Sequence, residues 1–230
     1  MPVTTLMRPA EAAWIGRALA KLPIDAISPL VNLGSCDALH RSKERADIWD
    51  PLDARGVRTI HVDCKTGPGI DISGDIYRAE TQDAIRAFVP RAILCCNMLE
   101  HVADPHGLAQ IIMALGGETL IISVPNSYPY HRDPIDTMFR PDLAALSKLF
   151  PGFVAAEGEI VRDLTSWQTT RQYHSLGWAT LYYAGAMAAA TVEILRGRNA
   201  LKARHPDILW LFRRYKVACT VFTRTGSART

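Results

Sequence analysis

The strongest constraint on the fold is an alternation. Between residues 29 and 124, short apolar runs ending in small or acidic residues take turns with stretches of helical period. Such alternation is the mark of a parallel sheet covered by helices on both faces. The runs are Pro29-Leu-Val-Asn-Leu-Gly34, Val57-Arg-Thr-Ile-His-Val-Asp63, a short one around Ile70 to Asp75, Arg91-Ala-Ile-Leu-Cys-Cys96 and Thr119-Leu-Ile-Ile-Ser-Val124. Helices are predicted over Glu11–Lys21, where Ala12, Ile15, Leu19 and Leu22 recur at helical spacing, over Thr81–Phe88 ahead of Pro90, and over His106–Leu115. Leu143, Leu146 and Leu149 mark one more, which ends near Pro151-Gly152.

The pattern changes after residue 150. A strand is expected over Phe153–Val161, a long helical insertion near 175–204, and a final strand over Lys216–Thr223. Two late strands around an insertion predict an antiparallel hairpin appended to the parallel sheet. With 230 residues and no long Ser/Gly linker, a single domain is expected: a cofactor-binding half at about 28–125, then substrate-side loops and the insertion at about 126–205.

Composition narrows the function classes. A net charge of +3 without a basic stripe argues against a nucleic-acid partner. The five cysteines, Cys36, Cys64, Cys95, Cys96 and Cys219, form no C-x-x-C pair and read as reduced thiols of a cytoplasmic protein. Met1 to Ala10 lacks the apolar stretch of a secretory signal. Ser175 to Val192 is uncharged but dominated by Ala, Gly and Thr, which predicts a buried or oligomer-facing helix, as in a homodimer, ahead of a bilayer span. Trp178, Tyr182, Tyr183 and the basic Arg196, Arg198, Lys202 and Arg204 keep membrane contact as the secondary reading.

In an open α/β sheet, ligands bind beyond the carboxyl ends of the strands. Those ends read Gly34-Ser35-Cys36, Asp63-Cys64, Asp75-Ile76, Cys96-Asn97 and Pro125-Asn126: small, polar and acidic. Four stretches in this order resemble the class I S-adenosylmethionine-dependent methyltransferases, particularly the bacterial methyltransferase type 11 set. They are Val31-Asn-Leu-Gly-Ser35, Val62-Asp63 with Gly74-Asp75-Ile76, Leu99-Glu100-His101-Val102 before Asp104-Pro105, and Gly116-Gly117 leading to Ser123-Val124-Pro125-Asn126.

The resemblance covers about residues 28–150. It implies a Rossmann-like three-layer α/β sandwich with a mostly parallel seven-stranded sheet, an antiparallel last strand and S-adenosyl-L-methionine as cofactor. It further implies that Asn32, Gly34 and Ser35 face the methionine moiety and Asp63 holds the ribose beside Cys64. Asp75 and the Ile76 backbone would meet the adenine, Asn97 would border the sulfonium, and His101 would close the pocket floor. One departure is plain: Cys36 stands where the family turn commonly has a second glycine. Its side chain takes space near the cofactor carboxylate and lacks glycine's easy access to positive φ.

A second constellation, Tyr128 to Pro141, follows the fifth strand and is dense in aromatic, acidic and basic residues. Similar H-x-D-P-x-D patterns followed by an aromatic and Arg occur in related methyltransferases. Methyl transfer to a hydroxyl needs alignment and a proton acceptor, so His131 is the candidate general base, oriented by Asp133 or Asp136. Arg140 would pair with an acidic substrate or with Asp136; the alternative is that these residues only lock the loop. No metal is expected, because Asn97-Met-Leu-Glu100-His101 lacks the first acid of the E-x-x-E-H motif of small-RNA methyltransferases. The expected activity is methyl transfer to a small-molecule, glycan or lipid-linked acceptor. The alternative is a non-catalytic scaffold of the same fold. A nicotinamide enzyme falls behind for want of G-x-G-x-x-G.

Overall fold

The computed structural model describes residues 7–42, 44–130, 135–196, 208 and 210–226. The first half runs α1 (Pro9–Lys21), α2 (Ile24–Ile27), β1 (Leu30–Leu33), α3 (Ala38–Arg41), a π-helical turn (Arg45–Trp49), α4 (Asp50–Ala54), β2 (Thr59–Asp63), β3 (Ile72–Ser73), α5 (Ala79–Arg86) and β4 (Ala92–Cys96). A 3₁₀ turn (Leu99–His101), α6 (Pro105–Ala114), β5 (Thr119–Ser127), α7 (Leu143–Lys148), β6 (Phe153–Thr165), α8 (Ser166–Tyr173), α9 (Leu176–Leu195) and β7 (Arg214–Arg224) follow.

The seven strands form one sheet in the order β3-β2-β1-β4-β5-β7-β6. Parallel pairing joins β3 through β5, while β7 lies antiparallel between β5 and β6. This is the expected Rossmann-like sandwich with its antiparallel hairpin. Strand periodicity splits the core in two. On β4, Ile93 and Cys95 face the layer of α5, α6 and α7, with Ile85, Ile112 and Phe150. Ala92 and Leu94 face the layer of α1 and α4, with Ile15, Leu19 and Leu52. Both faces of the central strands are therefore covered, which is why they read as continuous apolar runs.

Helix starts follow local chemistry. Asp104 caps α6 by accepting from Gly107 N, with Pro105 in the first turn. Thr165 and Gln168 form a reciprocal capping box on α8.

Several boundaries differ from expectation. β5 continues through Pro125-Asn126 to Ser127, because its outer neighbour β7 supplies partners as far as Lys216. β6 extends to Thr165 for the same reason. Of the insertion expected near 175–204, α9 covers Leu176–Leu195, with Ser175 capping its start at Trp178 N. A further helix, α8, precedes it, and residues 197–204 lie outside the described ones. Nor is α9 buried: only Ala179, Tyr183 and Ala190 are, while Leu181 is 75% and Leu195 82% exposed. Among the described residues, no helix is long and apolar enough to cross a membrane.

Candidate active site

A cavity of about 650 Å³ opens at the carboxyl ends of β1, β2 and β4. From β1 and its turn it is lined by Asn32, Gly34, Ser35 and Cys36, and from the tip of β2 by Asp63 and Cys64. Asp75 and Ile76 enter after β3, and Asn97 and His101 after β4. The strand tips singled out in the sequence thus converge on one space.

Its rim is held by short polar links. Asp63 Oδ2 accepts from Cys36 N at 3.0 Å, and Oδ1 from Lys65 N at 2.9 Å. Asp75 Oδ1 accepts from Tyr77 N at 3.0 Å in a local turn, and Asp75 itself is exposed. Gly34 has φ +66°, and a Cβ there would sit 3.4 Å from Met98 Sδ. Cys36 has φ +52°: it keeps a backbone conformation that favours glycine. Burial first, then the Asp63 charge, push its thiol up to about 11, so it stays protonated. The Arg41 guanidinium underlies this turn, donating to Gly69 O at 2.7 Å and to Cys36 O.

Asn32 is less available than expected. Its amide meets His61 Nδ1 at 3.2 Å across the β1–β2 pair. Burial, and secondarily the Arg41 charge, lower His61 to about 4, so its ring is neutral and can accept.

Two acids outside the expected site residues also line this cavity, Glu11 and the Glu100 of the Leu99-Glu100-His101-Val102 run. Glu11 of α1 is 1% exposed; its Oε1 accepts from Asn97 Nδ2 at 2.9 Å and Ser123 Oγ at 2.5 Å. Burial is the chief force raising its pKa. Glu100 is fully buried on the 3₁₀ turn, and neither carboxyl oxygen has a side-chain hydrogen-bond partner among the described residues. His101 Nε2 lies 3.6 Å from its Oε1. Burial raises Glu100 to about 8, against a smaller opposing pull from Arg140.

No protein-family model matches the sequence, and no curated protein does. Among solved structures, a SAM-dependent methyltransferase from Thiobacillus denitrificans in complex with S-adenosyl-L-homocysteine aligns at 13% identity, over 96% of this chain and 94% of that one, with a TM-score of 0.51. The fold is that of the class I methyltransferases. A Haloferax volcanii protein solved as a complex with the Trm112 methyltransferase activator aligns at 17% identity, over 92% and 89% of the two chains, with a TM-score of 0.48. Coclaurine N-methyltransferase bound to N-methylheliamine and SAH aligns at 13% identity, over 92% and 69%, with a TM-score of 0.48.

On this methyltransferase fold, the loop after β5 is the remaining candidate element. His131 and Asp133 lie outside the described residues. Asp136 and Arg140 are described, and neither lines the cavity. They pair with each other instead, Arg140 Nη2 on Asp136 Oδ2 at 2.6 Å, with side chains 11% and 0% exposed. Asp136 Oδ1 also accepts from Met138 N at 2.8 Å. The loop packs on the 3₁₀ turn: Thr137 N donates to Glu100 O at 2.9 Å, and His101 Nδ1 bonds Ile135 O. Of the two partners considered for Arg140, the structure has Asp136. Among the described residues, no cluster of three or more His, Cys, Asp or Glu could hold a metal ion.

Proposed function

We propose that the chain is an S-adenosyl-L-methionine-dependent methyltransferase acting on a small-molecule, glycan or lipid-linked acceptor. The observation that carries this reading is the opening of Asp63 and Asp75 into one cavity beside the Gly34 turn. The donor set suits an adenosyl group: two carboxylates for hydroxyl and amino hydrogens, with Cys64 and Ile76 as apolar walls. When bound, the cofactor supplies an electrophilic methyl on a positively charged sulfur.

The chain's own residues do the rest. Asp63 would accept from the ribose, Asp75 and the Ile76 backbone would take the adenine edge, and Gly34, Ser35 and Asn32 would border the methionine end. Asn97, fixed by Glu11, would flank the reacting centre. Glu11 and Glu100 add buried carboxyl groups there, and a bound cationic donor would favour their ionised forms. We assign the proton-accepting role to His131, beside Asp133, and to Asp136 with Arg140 the bracing of the loop that carries it. Alignment is the main task in such a displacement.

Calorimetric titration with S-adenosyl-L-methionine and with NADH tests the reading. Binding of the first alone supports it. Binding of neither supports the scaffold alternative, which Cys36 keeps in view. His131→Ala should abolish turnover with cofactor affinity intact, and retained turnover removes the base assignment.

A further inference from the structure

We propose that the α8–α9 face docks on an anionic phospholipid bilayer and takes its methyl acceptor from there as a lipid-anchored molecule; the acceptor clause rests on the methyltransferase reading above.

The first support is an exposed apolar helix. α9 has 20 residues, about 30 Å at 1.5 Å each, and no charge from Leu176 to Val192. A single stripe packs inward: Ala179, Tyr183 and Ala190 buried, with Ala186 and Glu193 half-buried between and beyond them. The rest stands in solvent, including Trp178 (46%), Leu181 (75%), Met187 (52%) and Leu195 (82%). A helix apolar on all sides is ordinarily covered, and an exposed patch of this kind marks an interaction surface.

Charge identifies what covers it. Among the described residues from Leu164 to Lys216, five are basic (Arg171, Arg196, Arg213, Arg214 and Lys216) and one acidic, Glu193, on the inward stripe. The whole chain carries only +3. Basic residues at a membrane surface bind anionic headgroups, and their effects add. Both ends of α9 are basic, Arg171 before it and Arg196 after it. Pairing α9 with α9 of a second copy, in either direction, would therefore oppose like charges, whereas an anionic surface accommodates both ends. Next to Arg171, His174, Trp178 and Tyr182 form a stack with centroids 3.9 and 5.3 Å apart. Such rings, apolar in body and polar at the edge, suit the headgroup layer.

Position links this face to the cavity. β6 runs parallel to β5, so its end at Thr165, where α8 begins, lies at the cavity end of the sheet. Arg8, which lines the cavity, donates to Thr169 Oγ1 of α8 at 3.0 Å and to Leu164 O at 3.3 Å. Tyr128, another lining residue, sits 4.9 Å from the Tyr215 ring, which stacks on Trp210 at 5.2 Å; Ser166 N donates to Trp210 O. Tyr183 of α9 completes the link, its hydroxyl lying 2.7 Å from Ser166 Oγ and 3.0 Å from Thr170 Oγ1 of α8. No part of this requires a spanning helix; the contact is interfacial.

The test is sedimentation of the full chain with phosphatidylcholine vesicles, with and without phosphatidylglycerol, alongside calorimetry with S-adenosyl-L-methionine. We expect at least about tenfold stronger binding to the anionic vesicles, weakened by salt. Leu181→Asp with Leu195→Asp should remove it, and Arg196→Glu should reduce it by about fivefold or more. All these positions are exposed and none lines the cavity, so cofactor affinity should not change. Equal, weak binding to both vesicles overturns the inference. So does a dimer in solution that Leu181→Asp dissociates, since a second copy would then cover the face. Vesicle binding without cofactor binding would overturn the methyltransferase reading and leave the docking surface standing; the converse result would do the reverse.

Discussion

The backbone N–H of Cys36 donates to Asp63 Oδ2 at 3.0 Å, which joins the turn after β1 to the tip of β2. A side chain at a glycine-like φ is held in place by this bond and by Arg41 beneath it. The turn therefore holds a left-handed backbone conformation at a residue other than glycine.

Cys36→Gly should relieve the left-handed conformation. We expect a gain of about 1 kcal/mol, or roughly 2–4 °C in Tm for a chain of this size. Thermal denaturation checks it, and a fall in Tm would mean that the thiol contributes packing that outweighs the strain.

Asp63→Ala removes the acceptor of two turn N–H groups as well as the proposed ribose partner. Cofactor affinity should fall at least about tenfold and stability by about 1–3 kcal/mol. Asp75→Ala should also weaken cofactor binding, with a smaller effect on stability, because its carboxylate serves only one local turn bond among those described. Calorimetry and denaturant titration on both variants separate the two effects.

Glu100 predicts a specific pH dependence. Its folded pKa, about 8, lies above the ordinary 4.5. Between these values the folded chain retains a proton that the unfolded chain releases, so stability declines as pH rises from about 4.5 to about 8 and then levels. Glu100→Gln should flatten that slope, so that the variant gains on the wild type as pH rises. Denaturation midpoints across pH 4.5–9 read this directly. Parallel slopes would show that Glu100 ionises freely.

Arg140→Ala should strip Asp136 of its buried partner and cost about 3 kcal/mol. Where the variant folds, its cofactor affinity should match the wild type, because neither residue lines the cavity. A large loss of affinity at retained stability would place Arg140 in the binding site.

The central strands were legible because burial on both faces makes each an unbroken apolar run, and β4 and β5 are read within a few residues. The strand tips were legible for a related reason: Asp63, Asp75 and Asn97 interrupt those runs where a ligand site must lie. The segment from Ala38 to Ala54 was not, since its one-turn helices and π turn are too short for a period to register. In the sequence, Glu11 marks only the approximate start of a helix. Its partners Asn97 and Ser123 are 86 and 112 residues away, and only the folded sheet brings them together. For α9 the uncharged stretch left burial and an intermolecular face open, and only the folded chain shows that most of it is exposed.

The most direct measurement is a crystal structure of the chain with S-adenosyl-L-homocysteine. The account predicts the ribose hydroxyls within hydrogen-bonding distance of the Asp63 carboxylate, and the adenine between Cys64 and Ile76 with its amino group toward Asp75. An adenosyl group bound elsewhere, or a cavity that stays empty at saturating ligand, would contradict it.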